Sequence, residues 1–209
     1  MPRFASVLRL TTLTLVLFCL AACDKGPFSP EARRQSAALD QYVKMLQANL
    51  VVDDTFEWNT LSSALIVRVL PYNQEVSRAA DLRFASDKTF HTETAAWDRA
   101  PGRKARPPVT ILLGLFTQDL KAKDVMEMER FRPRLKTAGG RILEPLEIKR
   151  YGRDHVFIRD HFPIFNPWED VYLVKFQGPS RSADTYDRQE FLLEWPGGTQ
   201  TLILNSGPR

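Results

Sequence analysis

The first hydrophobic pattern after residue 29 has the period of an amphipathic helix. Apolar side chains recur three or four positions apart at Leu39, Tyr42, Val43, Leu46 and Leu50. Ser29-Pro30-Glu31 precedes them and supplies a hydroxyl N-cap, a proline at the first helical position and an acid in the first turn. We therefore predict a helix over residues 30–48.

The next fifty residues carry a weaker pattern. The apolar run 64–70 ends at Pro71 and fits either a buried strand or a helix. Beyond it, Val76, Ala80 and Phe84 share one helical face, which favours mostly helix over residues 73–96. Residues 29–100 are thus expected to be mainly helical. Residues 101–108, rich in proline and basic side chains, are expected to form a linker.

Residues 109–206 have the hydrophobic pattern and the turn residues of short strands. Val109–Phe116 is a continuous apolar run, typical of a strand buried on both faces. Glycine-rich turns at 138–140 and 196–198 predict two hairpins. With residues 155–160 included as a strand, about seven short strands result, a number typical of an antiparallel β-sandwich. The predicted fold class is α+β, immunoglobulin-like in strand count only.

The N-terminus has the order of an export signal. Arg3 and Arg9 form a positive region, and Leu10–Leu20 is an uncharged stretch. That stretch is shorter than the roughly 20 apolar residues that a membrane-spanning helix needs. It has the length of the apolar region in a signal peptide.

Leu20-Ala21-Ala22-Cys23 resembles the lipobox of bacterial lipoproteins. The resemblance implies cleavage between Ala22 and Cys23, removal of residues 1–22 and attachment of acyl chains at Cys23, with residues 23–28 as a tether. It also implies a lipid-anchored location in the bacterial cell envelope, facing the periplasm. Asp24 resembles the inner-membrane retention signal of enterobacterial lipoproteins and favours that membrane. An ordinary signal peptide is the alternative.

This processing changes the cysteine and charge balance. The 209-residue chain has two cysteines, Cys19 and Cys23, so the mature chain would keep no free thiol. Two arginines leave with residues 1–22, which reduces the 29 Lys and Arg to 27 against 25 Asp and Glu. The small positive balance does not indicate a nucleic-acid partner, and no cofactor is expected.

Two histidines are the main candidates for chemistry. His155 and His161 lie near Asp154 and Asp160, but six residues of extended strand separate them by about 20 Å, too far for one metal ion. We therefore expect solvated histidines and no metal site. The sequence contains no serine-hydrolase elbow, zinc-protease motif, phosphate loop or dinucleotide fingerprint.

A basic stripe precedes the first hairpin turn and has two interpretations. In a strand, one face would carry Arg130, Arg132, Arg134 and Lys136. The stripe fits an acidic partner or anionic lipid headgroups. The favoured interpretation is an edge strand protected from aggregation by charge and by Pro133.

The segment Phe162–Trp168, here called the Trp168 loop, places four large apolar side chains among two prolines. Its aromatic residues, above all Phe165 and Trp168, fit an exposed contact site. The favoured interpretation is a rigid crossover that closes one end of the core, because exposed patches of that size are uncommon.

Together these features favour a non-enzymatic, membrane-anchored envelope lipoprotein that acts through protein contacts near the membrane. Its expected partners are the membrane, through the Cys23 lipid, and another envelope protein. A binder of a small lipid or glycan is the second hypothesis, and a hydrolase is the least favoured.

Overall fold

A computed structural model describes residues 30–57, 62–97, 108–117, 131–178 and 189–204. Ala22, Cys23, Asp24, Arg130 and most of the predicted linker therefore lie outside the described residues. The chain divides into two compact units, Met1–Tyr42 and Val43–Arg209. Nearly all described residues belong to the second unit. No helix in the described ranges is both long enough and apolar enough to cross a membrane.

Helix α1 spans Pro30–Asn49 and confirms the helix predicted from the first apolar pattern. At its end, Asn49 donates to the Met45 carbonyl (3.0 Å) and accepts from the Asn73 amide (2.9 Å). Asn73 also accepts from the Val76 amide as the N-cap of the next helix. Two asparagines therefore join the end of α1 to the start of the next helix.

The segment after α1 contains strands that the sequence did not make clear. β1 is Val51–Glu57 and β2 is Ser62–Pro71, so the run ending at Pro71 is a strand. Two helices follow, α2 at Gln74–Arg83 and α3 at Lys88–Trp97, which confirms the helix predicted for residues 73–96. Asp87 precedes α3 and accepts from the amides of Thr89 and Phe90.

The remaining strands and one helix complete the chain. They are β3 at Val109–Phe116, β4 at Arg132–Lys136, β5 at Ile142–Leu143, β6 at Pro145–Gly152, α4 at Val156–His161, β7 at Asp170–Phe176, β8 at Gln189–Trp195 and β9 at Gly198–Leu204. α4 replaces the strand predicted for residues 155–160. This stretch is short and weakly patterned, and Phe157 and Ile158 are both buried in the helical arrangement.

The strands form two antiparallel sheets. Sheet A has the order β1-β2-β3-β7-β6, and sheet B has the order β5-β4-β8-β9. Both predicted hairpins are present, as the β4–β5 and β8–β9 pairs. In the first of them Gly140 has φ +78°, which glycine adopts without the usual penalty. The described fold is α+β, as predicted.

Sheet A joins regions that the sequence analysis separated. β1 and β2, from the part predicted to be mainly helical, pair directly with β3 on the other side of the predicted linker. Residues 43–209 therefore form one unit instead of a helical part and a separate β-domain. The prediction missed this arrangement because Asp53 and Asp54 interrupt the apolar pattern of β1.

One hydrophobic core connects the two sheets. Alternate residues of β2, β3 and β7 contribute to it together with the apolar side chains of β4, β5, β8 and β9. The other face of sheet A carries Arg68, Gly114 and Lys175, which contact the Trp168 loop or α3. α3 and the loop therefore contact one face of sheet A, while the other face shares its core with sheet B.

Candidate functional site

The Trp168 loop connects α4 to β7 and divides into buried and exposed side chains. Phe162, Ile164 and Phe165 are each at most 7% exposed, whereas Trp168 is 71% exposed. Pro163 and Pro167 prevent continuation of α4, and short turns follow at Phe162–Phe165 and Asn166–Glu169. The interpretation as a crossover that packs on the core fits the first three side chains. Trp168 has the exposure of a contact residue.

A buried carboxylate holds the end of this loop. The Glu169 side chain is 1% exposed, and its Oε1 lies 2.9 Å from Arg68 Nε on β2 as an ion pair without hydrogen-bond geometry. Arg68 Nη1 donates to the Ile164 carbonyl at 2.8 Å. Asn166 donates to Glu169 from its backbone (3.2 Å) and its side-chain amide (3.0 Å). Burial raises the pKa of Glu169, and the charge of Arg68 partly opposes that rise.

A glycine in the middle of β3 allows the loop to lie directly on the sheet. A Cβ at Gly114 would meet Phe165 Cδ1 at 2.7 Å and Glu169 Oε2 at 2.9 Å. Gly114 pairs with Arg68 on β2 and Val171 on β7, so the floor under the loop is one row of the sheet. This role was not predicted from the sequence. A glycine inside an apolar strand run is a signal of close backbone approach.

Aromatic rings surround the start of the loop. Phe162 stacks on Trp97 of α3 with 5.6 Å between ring centroids, and Tyr72 meets Trp97 edge-on at 4.9 Å. Phe157 of α4 lies between Trp97 and Tyr151 of β6. Such contacts contribute about 0.5–1.5 kcal/mol per pair beyond area burial. The loop is therefore held at both ends, by aromatic packing at Phe162 and by the ion pair at Glu169.

A polar group lies at the edge of the aromatic cluster. Tyr151 donates its hydroxyl proton to Glu93 Oε1 at 2.6 Å and accepts from Trp97 Nε1 at 3.1 Å. Burial is the main cause that raises the pKa of Tyr151, followed by the bond to Glu93. Burial opposes ionisation of Glu93, but hydrogen bonds from Lys149 and Tyr151 outweigh it and lower its pKa. The four side chains join α3 to β6.

His161 is also buried, which corrects the expectation that it is solvated. Its side chain is 8% exposed, with Nε2 2.9 Å from Asp87 Oδ2 and Nδ1 2.8 Å from the Phe157 carbonyl. The bond to His161 is the main cause that lowers the pKa of Asp87. His155 is exposed as expected, and its ring lies against Tyr151. Within the described ranges no three His, Cys, Asp or Glu side chains are grouped as a metal site would require.

A shallow depression adjoins the Trp168 loop. It lies between the turn after β6, one side of α4 and the loop, and its free volume is about 20 Å³. Asp154 in that turn has φ +45°, an uncommon conformation for a residue with a side chain. The depression holds about one water molecule, far below the roughly 300–1,000 Å³ of small-molecule sites. It is lined by residues that include His155, Ile158, Arg159, Phe165 and Asn166.

The described part of the basic stripe is paired with glutamates. Arg132, Arg134 and Lys136 alternate with Phe131, Pro133 and Leu135, which are buried. Arg134 forms ion pairs with Glu144 (2.9 Å) and Glu194 (2.6 Å), and Lys136 pairs with Glu190 at 2.9 Å. β4 lies between β5 and β8, but β5 reaches only Leu135 and Lys136. Nearby glutamates therefore neutralise much of the positive charge of the basic stripe.

The structure thus separates the candidate residues predicted from the sequence. Phe165 and Trp168 share the Trp168 loop, whereas Arg132, Arg134 and Lys136 lie on sheet B. Comparison with known proteins gives no match to any protein-family model, curated protein or solved structure.

Proposed function

We propose that this chain is a lipid-anchored cell-envelope protein that acts without catalysis, by binding another envelope protein through the Trp168 loop. The two sheets are proposed to act as a β-sandwich scaffold behind that loop. The observation that carries the proposal is a tryptophan, 71% exposed, on a loop that buries Phe162, Ile164 and Phe165 and is bonded to Arg68. Aromatic anchors of this kind contribute most of the energy of many protein interfaces.

The membrane location is supported by the lipobox-like segment ending at Cys23. The tether between Cys23 and Ser29 reaches about 20 Å when fully extended. Stable anchoring requires two or more acyl chains, since one chain binds only marginally. The folded part would then meet its partner close to the membrane surface.

The rigid loop supports a binding role on energetic grounds. Ordering a flexible side chain at an interface costs about 0.5–1.5 kcal/mol, and ordering a loop costs more. Arg68, Glu169 and Phe165 have already ordered the backbone on either side of Trp168. Binding of a partner would therefore not have to include the entropy cost of ordering this backbone.

The other two hypotheses have weaker support. The depression beside the loop, which is formed by described residues, is too small to hold a lipid or a glycan. A hydrolase that used His161 as its general base would need one ring nitrogen free to take a proton from the substrate or from water. Both ring nitrogens of His161 already face hydrogen-bond partners.

Photo-crosslinking from position 168 tests the binding role. A benzoyl-phenylalanine replacing Trp168 in the full-length, membrane-bound protein is expected to give discrete protein adducts. The matched control is the same probe at Ile203, which is 59% exposed on β9. Adducts of equal yield at both positions, or only lipid adducts at position 168, would contradict the proposal.

A further inference from the structure

We infer that His161 is a pH-sensitive switch that fixes α4 and the start of the Trp168 loop to the turn before α3 when its imidazole ring is protonated. The switch itself follows from the geometry of His161. Any effect of the switch on the binding of a partner rests on the proposed function. Neither depends on a catalytic role for the histidine.

The geometry requires two proton donors on one ring. The Phe157 carbonyl and the Asp87 carboxylate are both acceptors, and they face Nδ1 and Nε2 at 2.8 and 2.9 Å. A neutral imidazole has one N–H, whereas an imidazolium has two. Only the protonated ring donates to both partners.

Three other titratable groups on the packed elements, His91, Glu93 and Asp160, already have partners. His91 on α3 contacts Asp81 and the Ala85 carbonyl, and Glu93 on the same helix binds Lys149 and Tyr151. Asp160, adjacent on α4, pairs with Arg159. Arg83 of α2 and His155 before α4 are further charged or titratable side chains on the packed elements. Asp87, a described residue, places a carboxylate oxygen within hydrogen-bond distance of the ring.

The aromatic surroundings make this contact sensitive to charge. The rings of Phe84, Phe90 and Phe157 lie 4.6, 5.2 and 4.6 Å from the imidazole centroid. An electrostatic hydrogen bond is stronger in such a low-dielectric setting, and an unpaired polar group there is correspondingly costly. Deprotonation would leave a nitrogen lone pair facing one of the two acceptors.

The contact is positioned to control the loop. His161 is the last residue of α4, and the next residue, Phe162, begins the Trp168 loop. Phe162 donates its amide to the Ile158 carbonyl at 2.7 Å, so it completes the helix that His161 ends. The opposite end of the loop is held by Glu169 and Arg68 and does not involve the histidine.

The direction of the effect follows from the proton balance. Histidine is the side chain whose ordinary pKa, about 6.5, lies between pH 5 and 8. When the ring is protonated, it donates to both acceptors and the loop start is fixed. When the ring loses a proton, one of the two bonds is lost, and α4 together with the loop start opens more often.

Hydrogen exchange of the full-length protein in detergent micelles tests the switch. After correction for intrinsic rates, amides in 156–168 should exchange at least about tenfold faster at about pH 8.5 than at about pH 5.5. Amides in β3 should not change. His161→Gln, which keeps an N–H donor but does not titrate, should abolish this difference, and His155→Gln should retain it.

Two results would overturn the inference. One is unchanged exchange in the wild-type protein, and the other is an equal pH dependence in His161→Gln. If that variant does not fold, the ¹⁵N chemical shifts of the His161 ring nitrogens in the wild-type protein test the switch instead. Both ring nitrogens should be protonated at about pH 5.5 and only one at about pH 8.5. A ring that is singly protonated throughout, or doubly protonated throughout, contradicts the switch.

The same samples separate this inference from the proposed function. A pH-dependent exchange without protein crosslinks at position 168 leaves the switch in place and removes the binding role. Protein crosslinks at position 168 together with pH-independent exchange leave the binding role in place and remove the switch.

Discussion

At the scale of single residues, neighbouring positions in the Trp168 loop have opposite roles. Phe165 is 7% exposed and Trp168 is 71% exposed, three positions apart in one segment. The sequence predicted an aromatic loop but could not assign these roles, because burial here depends on Gly114 and Arg68. Both are distant in sequence from the loop, so local patterns do not report their contacts.

Phe165→Ala and Trp168→Ala are therefore expected to differ sharply in stability. Removing the buried ring should cost about 3 kcal/mol of unfolding free energy because it leaves a cavity on the sheet. Removing the exposed ring should change it by less than about 0.5 kcal/mol. Urea unfolding of both variants measures the difference, and equal losses would contradict the assigned burial.

Gly114→Ala should destabilise the protein by about 1–3 kcal/mol. The added methyl group would lie within 3 Å of Phe165 and Glu169, so the loop must shift. Gly139→Ala is the matched control, since its nearest neighbour would be 3.9 Å away. Thermal unfolding should distinguish the two, and an unaffected Gly114→Ala protein would mean that the loop does not pack on β3.

At the scale of elements, the strong local signals predicted the structure, whereas several of the weak ones did not. Helix α1 and the hairpins at Gly140 and Gly198 follow from periodicity and turn residues. β1 was not identified because Asp53 and Asp54 disrupt its pattern, and α4 was mistaken for a strand. A six-residue helix has little intrinsic stability, so tertiary contacts decide its form.

Asn73 offers a test of how elements are joined. Asn73→Ala removes the N-cap of α2 and the bond to Asn49, and it should cost about 1–2 kcal/mol. Asn73→Asp keeps an acceptor for the Val76 amide and loses only the donor to Asn49, so its loss should be smaller. Chemical unfolding of both variants checks the order, and equal losses would remove the capping role.

At the scale of the whole molecule, buried and partly buried carboxylates set the response to acid. The pKa of Glu93 is lowered in the fold, so its contribution is present above its ordinary value of 4.5 and is lost as the pH falls below it. The pKa of Glu169 is raised, so protonation favours the folded state and its contribution has the opposite sign. The sequence alone could not predict that the fold lowers the pKa of Glu93 and raises that of Glu169.

The two carboxylates should therefore be separable by substitution. Glu93→Gln should flatten the loss of unfolding free energy between about pH 5 and 3, whereas Glu169→Gln should steepen it. Urea midpoints measured across that range provide the comparison. Parallel curves for both variants and the wild-type protein would contradict the assigned shifts.

We propose above all that the protein binds a partner through Trp168 while a lipid at Cys23 holds it at the membrane. The most direct measurement combines an alkyne fatty-acid label with a photo-crosslinking probe at position 168, in cells that carry either Cys23 or Cys23→Ala. The account predicts label, membrane fractionation and a discrete protein adduct with Cys23, and loss of all three in the Cys23→Ala protein. Equal labelling and an unchanged adduct in the variant would contradict it.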